Sequence, residues 1–131
     1  MLTVIVNYPI QGVIFGNLQK NRKDPSFDKL EILKYYVGNF SGKPTEKRSN
    51  ELIKLTYKNY GKKLTIIGCG GIFNAEDAYM KIKLGASLVQ LITGLIYEGP
   101  LLPAEINSDL NDLIKKDGFK NISEAIGISA I

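Results

Sequence analysis

The sequence predicts an α/β protein built on parallel strands with covering helices. Three observations lead there: short β-branched runs alternate with stretches of helical spacing, those runs are apolar throughout, and two of them end in exits rich in glycine. Alternation of strand and helix argues for a parallel sheet joined by right-handed crossovers, because parallel neighbours need a connection long enough to return over one face. A continuous apolar run fits a strand covered on both sides.

The chain opens almost directly into a strand-like segment, mid-pattern, which reads as truncation. Gly12-Val13-Ile14-Phe15 is the first strand and Gly16-Asn17 its exit turn. Residues 18–43 are polar and charged, carry Pro25 and hold no steady period. A loop of that length in a compact domain is expected to be a lid or binding loop, or to be disordered. It closes on Phe40-Ser41-Gly42-Lys43-Pro44, and Pro44 suits the first turn of a helix. Leu52, Ile53, Leu55 and Tyr57 give that helix an apolar face, and Gly61 stops it.

The second strand is Leu64-Thr65-Ile66-Ile67, followed by Gly68-Cys69-Gly70-Gly71. Asn74 is a good N-cap for a helix over 75–84, with Glu76 and Asp77 complementing its dipole and Gly85 ending it. Ser87 to Leu91 is the third strand. Ile92-Thr93-Gly94 turns into a short helix that stops near Gly99-Pro100. A last amphipathic helix covers 103–116, burying Leu110, Leu113 and Ile114, and Ser123 is expected to cap a final turn. Residues 1–131 read as a single domain without internal repeat. Three strands do not close a barrel.

Composition narrows the function. The 131 residues are 44% hydrophobic with a mean hydropathy of −0.03, ordinary for a soluble protein. Lys and Arg number 17 against 13 Asp and Glu, a net charge of +4. The basic residues are scattered, which fits solubility or an anionic ligand; no recognition module for nucleic acid is present. One cysteine, Cys69, excludes an intrachain disulfide, and the total lack of histidine removes Ser-His and Cys-His nucleophile pairs and the usual zinc sites. No metal site and no catalytic residue is assigned. No apolar run is long enough to span a bilayer. Cys69 is expected to be core.

The two glycine-rich exits carry the most chemistry. Either alone can be a tight turn. Together, on consecutive strands and with a short extra helix after the second, they match the phosphate site of (β/α)8 barrels. Glycine lets backbone N–H groups approach an anion without a Cβ in the way, and a helix start adds partial positive charge.

At this point a family resemblance emerges. Residues 65–73, Glu76-Asp77-Ala78, residues 83–91 and Tyr97-Glu98-Gly99-Pro100 resemble the C-terminal signature of quinone-dependent (class 2) dihydroorotate dehydrogenases. Asp117-Gly118-Phe119-Lys120 and Glu124-Ala125-Ile126-Gly127 continue it, while residues 12–17 and Ser41-Gly42-Lys43-Pro44 align upstream. The resemblance implies the C-terminal half of an FMN-binding (β/α)8 barrel, in an enzyme that oxidises dihydroorotate to orotate in pyrimidine biosynthesis and reduces a quinone. By resemblance, Ser41 and Gly42 contact the flavin, Gly70 and Gly71 wrap the ribityl phosphate, Ile92 and Thr93 close over it, and Asn17 binds substrate. The family is held at the cytoplasmic side of a membrane by an N-terminal segment.

Departures accompany the likeness. Family members usually carry Thr-Asn-Thr where this chain has Gly16-Asn17-Leu18, and a tyrosine where it has Ile92. The resemblance also implies a serine base, a lysine near the flavin and further substrate asparagines upstream of Met1. The isolated chain is therefore expected not to turn over. Two readings stay open: one piece of a barrel completed by a complementary fragment or by self-association, or a non-catalytic remnant that binds FMN or phosphate. A phosphate-binding α/β domain of unrelated function is the third.

Overall fold

The computed structural model describes residues 1–25 and 27–131. A three-stranded parallel sheet in the order β1-β2-β3 organises it, with β1 Gly12–Phe15, β2 Thr65–Cys69 and β3 Leu88–Gln90. The register sets Ile14 beside Ile67 and Ile67 beside Leu88. The expected parallel α/β arrangement is therefore the observed one. The opening residues, by contrast, form a helical turn, α1 Leu2–Ile5, that buries nothing.

The described residues of 18–43 hold more regular structure than their lack of periodicity suggests. Gln19 and Phe40 form an antiparallel bridge with paired N–H···O bonds of 2.7 and 3.1 Å. Between them Asp28 caps a short helix, α2 Lys29–Leu33, by accepting from the Leu30 and Glu31 amides. The Arg22 guanidinium bonds the Gly38 carbonyl at 2.8 Å and also the Tyr35 carbonyl. These contacts draw the two ends of the loop together.

Pro44 lies in a 3-10 turn, Lys43–Thr45, that leads into α3 Glu46–Tyr60. Of the apolar set read from the sequence, Ile53 is fully buried and Tyr57 packs beside it, whereas Leu55 is 54% exposed; Ser49 and Thr56 complete the buried face of α3. Two polar side chains can occupy that face because each is hydrogen-bonded: Ser49 Oγ donates to the Cys69 carbonyl at 2.6 Å and Thr56 Oγ1 to the Leu52 carbonyl at 2.7 Å. Ile53 packs with Ile66 and Ala86, joining α3 to the covered face of the sheet.

Helix α4 Ala75–Lys83 begins where expected. Asn74 accepts from the Asp77 amide at 2.8 Å, and Asp77 reaches back to the Phe73 amide at 2.9 Å, a reciprocal cap. α5 Thr93–Glu98 is the short extra helix, and α6 Leu102–Lys116 packs on α4 through Ile72, Ala78, Leu102 and Ile106. The final turn, α7 Ile122–Ala125, is capped by Asn121, whose side chain accepts from the Ser123 amide; Ser123 is the recipient of the cap rather than its source. Tyr79, Ile82, Ile114 and Ala125 form the core beneath it.

Only one face of the sheet is covered. Ile66 is 1% exposed beneath the helices, whereas Ile14 and Leu88, flanking Ile67 on the opposite face, are 58% and 59% exposed. Ile53→Ala removes a fully buried side chain at the junction of α3 and β2. It should lower the unfolding free energy in urea by about 2–5 kcal/mol. A loss below about 0.5 kcal/mol would show that this junction is not close-packed.

Candidate functional site

Parallel strands leave the sheet at the same edge, and the register pairs Phe15 with Gly68 and Cys69 with Gln90, so all three exits meet there. Between them lies a cavity of about 70 Å³. Its lining includes Asn17, Ser41, Gly42, Gly70, Gly71, Ile92 and Thr93. Four segments far apart in sequence thus bring together every residue proposed from the sequence. Cys69 also lines the cavity and is half-buried, which corrects its placement in the core.

The cavity has no charged side chain in its lining. What it offers is backbone. The N–H groups of Gly70, Gly71, Thr93 and Gly94 donate to no carbonyl among the described residues. For Thr93 and Gly94 this follows from their place in the first turn of α5, where amides have no partner within the helix. The Thr93 hydroxyl donates to Ser41 Oγ at 3.1 Å, tying the long loop to the β3 exit. Donor-rich and uncharged, the pocket suits an acceptor-only oxyanion, and its volume admits a group the size of a phosphate but not a whole nucleotide.

Lys43 adjoins the site in sequence but is engaged elsewhere. Its ammonium bonds Asp77 at 2.7 Å and Glu46 at 3.1 Å. Burial acts to lower the Lys43 pKa, but the hydrogen bonds and charges of Asp77 and Glu46 outweigh it and raise the value. Asn17 is exposed and makes no side-chain hydrogen bond among the described residues, which leaves its amide available.

The glycines prove necessary for a different reason from the one the sequence suggests. Gly70 has φ +90°, and a Cβ there would fall on Thr45 Oγ1 and 2.6 Å from the Gly16 carbonyl oxygen. At Gly71, φ +76°, it would fall on the Glu46 side chain. Both collisions are with the protein itself, so the expected clash with a bound phosphate is not what a substitution here would report. Gly16 is constrained likewise: at φ +101° its Cβ would meet the Cys69 carbonyl and lie 2.7 Å from Ser49 Oγ. A threonine at this position does not fit this backbone. Gly94, within the Thr93-Gly94 exit but not singled out as a ligand, also lines the pocket, and its Cβ would strike the Ile72 carbonyl.

Parallel strands, a helix-covered outer face and a pocket at the strand exits define one segment of a (β/α)8-barrel protein. The chain belongs to the dihydroorotate dehydrogenase family. The family model of that name, "Dihydroorotate dehydrogenase", matches residues 1–114. The chain is 41% identical to the dihydroorotate dehydrogenase (quinone) of Trichodesmium erythraeum over 98% of its own length and 35% of that protein's. It is 46% identical to the enzyme of the same name from Haloarcula marismortui, covering 96% of itself and 35% of the relative. Among solved structures, the Eimeria tenella enzyme in complex with ferulenol superimposes with a TM-score of 0.84 at 28% identity, over 97% of this chain and 33% of that one. Its ligand-free form gives 0.80 at 30% identity, over 91% and 32%. The chain thus spans about a third of the length of the curated relatives it matches.

Gly70→Ala should lower stability by about 2 kcal/mol or more with no ligand present, since it combines a left-handed φ with a backbone collision. Urea unfolding of the unliganded chain measures this. An unchanged midpoint would mean that the β1 and β2 exits are not in contact.

Proposed function

We propose that this chain supplies the phosphate-gripping portion of a flavin-dependent dihydroorotate dehydrogenase. One observation carries the reading: residues from four separate segments, Asn17, Ser41–Gly42, Gly70–Gly71 and Ile92–Thr93, line a single small pocket with unpaired amides. Family membership supports reading the anion as the phosphate of FMN. The amides of Gly70, Gly71, Thr93 and Gly94 hold its oxygens. Ser41 and Thr93 hydroxyls, already bonded to each other, orient the adjoining part of the cofactor, which extends beyond the pocket. Asn17 donates to a pyrimidine carbonyl. FMN, when bound, supplies the redox chemistry, taking up electrons from dihydroorotate and passing them to a quinone; the protein contributes grip, orientation and electrostatics.

Turnover by this reading needs the remainder of a barrel. The uncovered sheet face, with Ile14 and Leu88 exposed, and the unpaired outer edges of β1 and β3 are surfaces for neighbouring strands to cover. A quinone acceptor puts the complete assembly beside a membrane, although among the described residues no helix is long and apolar enough to cross one.

A second reading is favoured by Gly16 and Leu18, which replace hydroxyl-bearing residues beside the substrate asparagine. Under it the chain is a non-catalytic remnant that binds FMN or phosphate. Comparing FMN with riboflavin tests the shared part of both readings. FMN fluorescence should be quenched by the full chain with affinity at least about tenfold above that for riboflavin, which lacks the phosphate. Equal affinity, or no binding of either, would overturn the phosphate assignment. Adding the complementary two-thirds of a quinone-type relative separates the readings: dihydroorotate-dependent reduction of a quinone surrogate supports the enzyme, and flavin binding without reduction supports the remnant.

A further inference from the structure

Behind the strand exits sits a lysine with no carboxylate in contact. Lys81 of α4 is 0% exposed. Its ammonium donates to Ser49 Oγ at 3.2 Å and to Asn50 Oδ1 at 2.8 Å. None of the ion pairs among the described residues includes it. The aliphatic stem crosses β2 at Gly68, where a Cβ would lie 3.0 Å from Lys81 Cδ and 3.1 Å from Ile53 Cδ1. A glycine in mid-strand weakens a sheet, and here its bareness makes the channel through which the lysine passes.

Ser49 relays that contact. Its hydroxyl donates to the Cys69 carbonyl at 2.6 Å and lies 3.5 Å from the Phe15 carbonyl. These two carbonyls are the last of β1 and β2, immediately before Gly16–Asn17 and Gly70–Gly71. We infer that Lys81 is a positioning residue, which through Ser49 clamps the ends of β1 and β2 and so sets Asn17 against the Gly70–Gly71 amides. The inference rests on the exits being the ligand site.

Hydrogen-bond inventory explains why the charge matters. An ammonium can only donate, so Ser49 must accept from it and commit its single proton to the Cys69 carbonyl. A neutral amine has a lone pair and can accept from Ser49, which frees the hydroxyl from that carbonyl. Burial lowers the Lys81 pKa to about 8; Glu46 at the start of α3, Cys69 on β2 and Asp77 on α4 favour the charged form, and Lys43 opposes it. The clamp is therefore tight at neutral pH and loosens in mild alkali.

Carbon-detected NMR of the full chain, labelled with 13C and 15N, reads the clamp at its two carbonyls. A Cys69→Ser background takes the thiol away from the carbonyl that is read. Between about pH 7 and pH 10 the Phe15 and residue-69 carbonyl carbons should shift together, with a midpoint near 8. Lys81→Met should abolish the shift without lowering the unfolding midpoint at neutral pH, since replacing a buried charge by an apolar side chain is often neutral or stabilising. Ser49→Ala, a second variant, should leave the Lys81 side-chain carbons titrating while the carbonyls no longer follow. In the native background Lys81→Met should weaken FMN binding about fivefold or more. Carbonyls that stay flat in the parent chain, or that titrate unchanged without Lys81 or without Ser49, would overturn the inference. Failure of the parent chain to bind FMN would sink the flavin reading alone, because the carbonyl titration decides the clamp without any ligand.

Discussion

At Gly16 and Gly70 two loops approach so closely that neither position has room for a side chain. A Cβ on Gly70 would lie 2.6 Å from the Gly16 carbonyl oxygen, and one on Gly16 would meet the Cys69 carbonyl. This approach brings the β1 exit, the β2 exit and the start of α3 into one cluster, and Ser49 closes it by bonding the Cys69 carbonyl. The cost is a backbone held at positive φ, which glycine tolerates and other residues do not. The result is a set of amides that donate to no carbonyl among the described residues and lie open to an acceptor.

Around that cluster the stability of the chain is unevenly distributed. Helices α3, α4 and α6 cover one face with three apolar groups, while Ile14 and Leu88 on the other stay exposed. In a closed barrel the inward face of each strand is filled by its neighbours. The coverage of about a third of the Eimeria tenella enzyme accords with this asymmetry.

The strands and the α4 cap were legible because their signals are local: β-branched runs bounded by glycine, and Asn74 ahead of two acidic residues. The seven candidate site positions came from the family resemblance, and the fold brings them to one pocket. Other features depend on contacts that no window of sequence contains. The buried face of α3 was read only in part, through Ile53 and Tyr57, because Ser49 and Thr56 are polar and sit inside through their bonds to backbone carbonyls. Burial of Lys81 has no local signal, since nothing near it in sequence reveals that Gly68 opens a path beneath β2. The 18–43 segment gave no period because its order comes from a bridge between Gln19 and Phe40 at its two ends.

Titration of 15N-labelled chain with FMN, followed by amide shifts at neutral pH, examines the anion cradle residue by residue. The account requires the resonances of Gly70, Gly71, Thr93 and Gly94 to move together and saturate at one affinity, with inorganic phosphate moving the same four. Shifts confined to the exposed sheet face, or scattered over the basic surface with the four glycine-exit amides still, would contradict it.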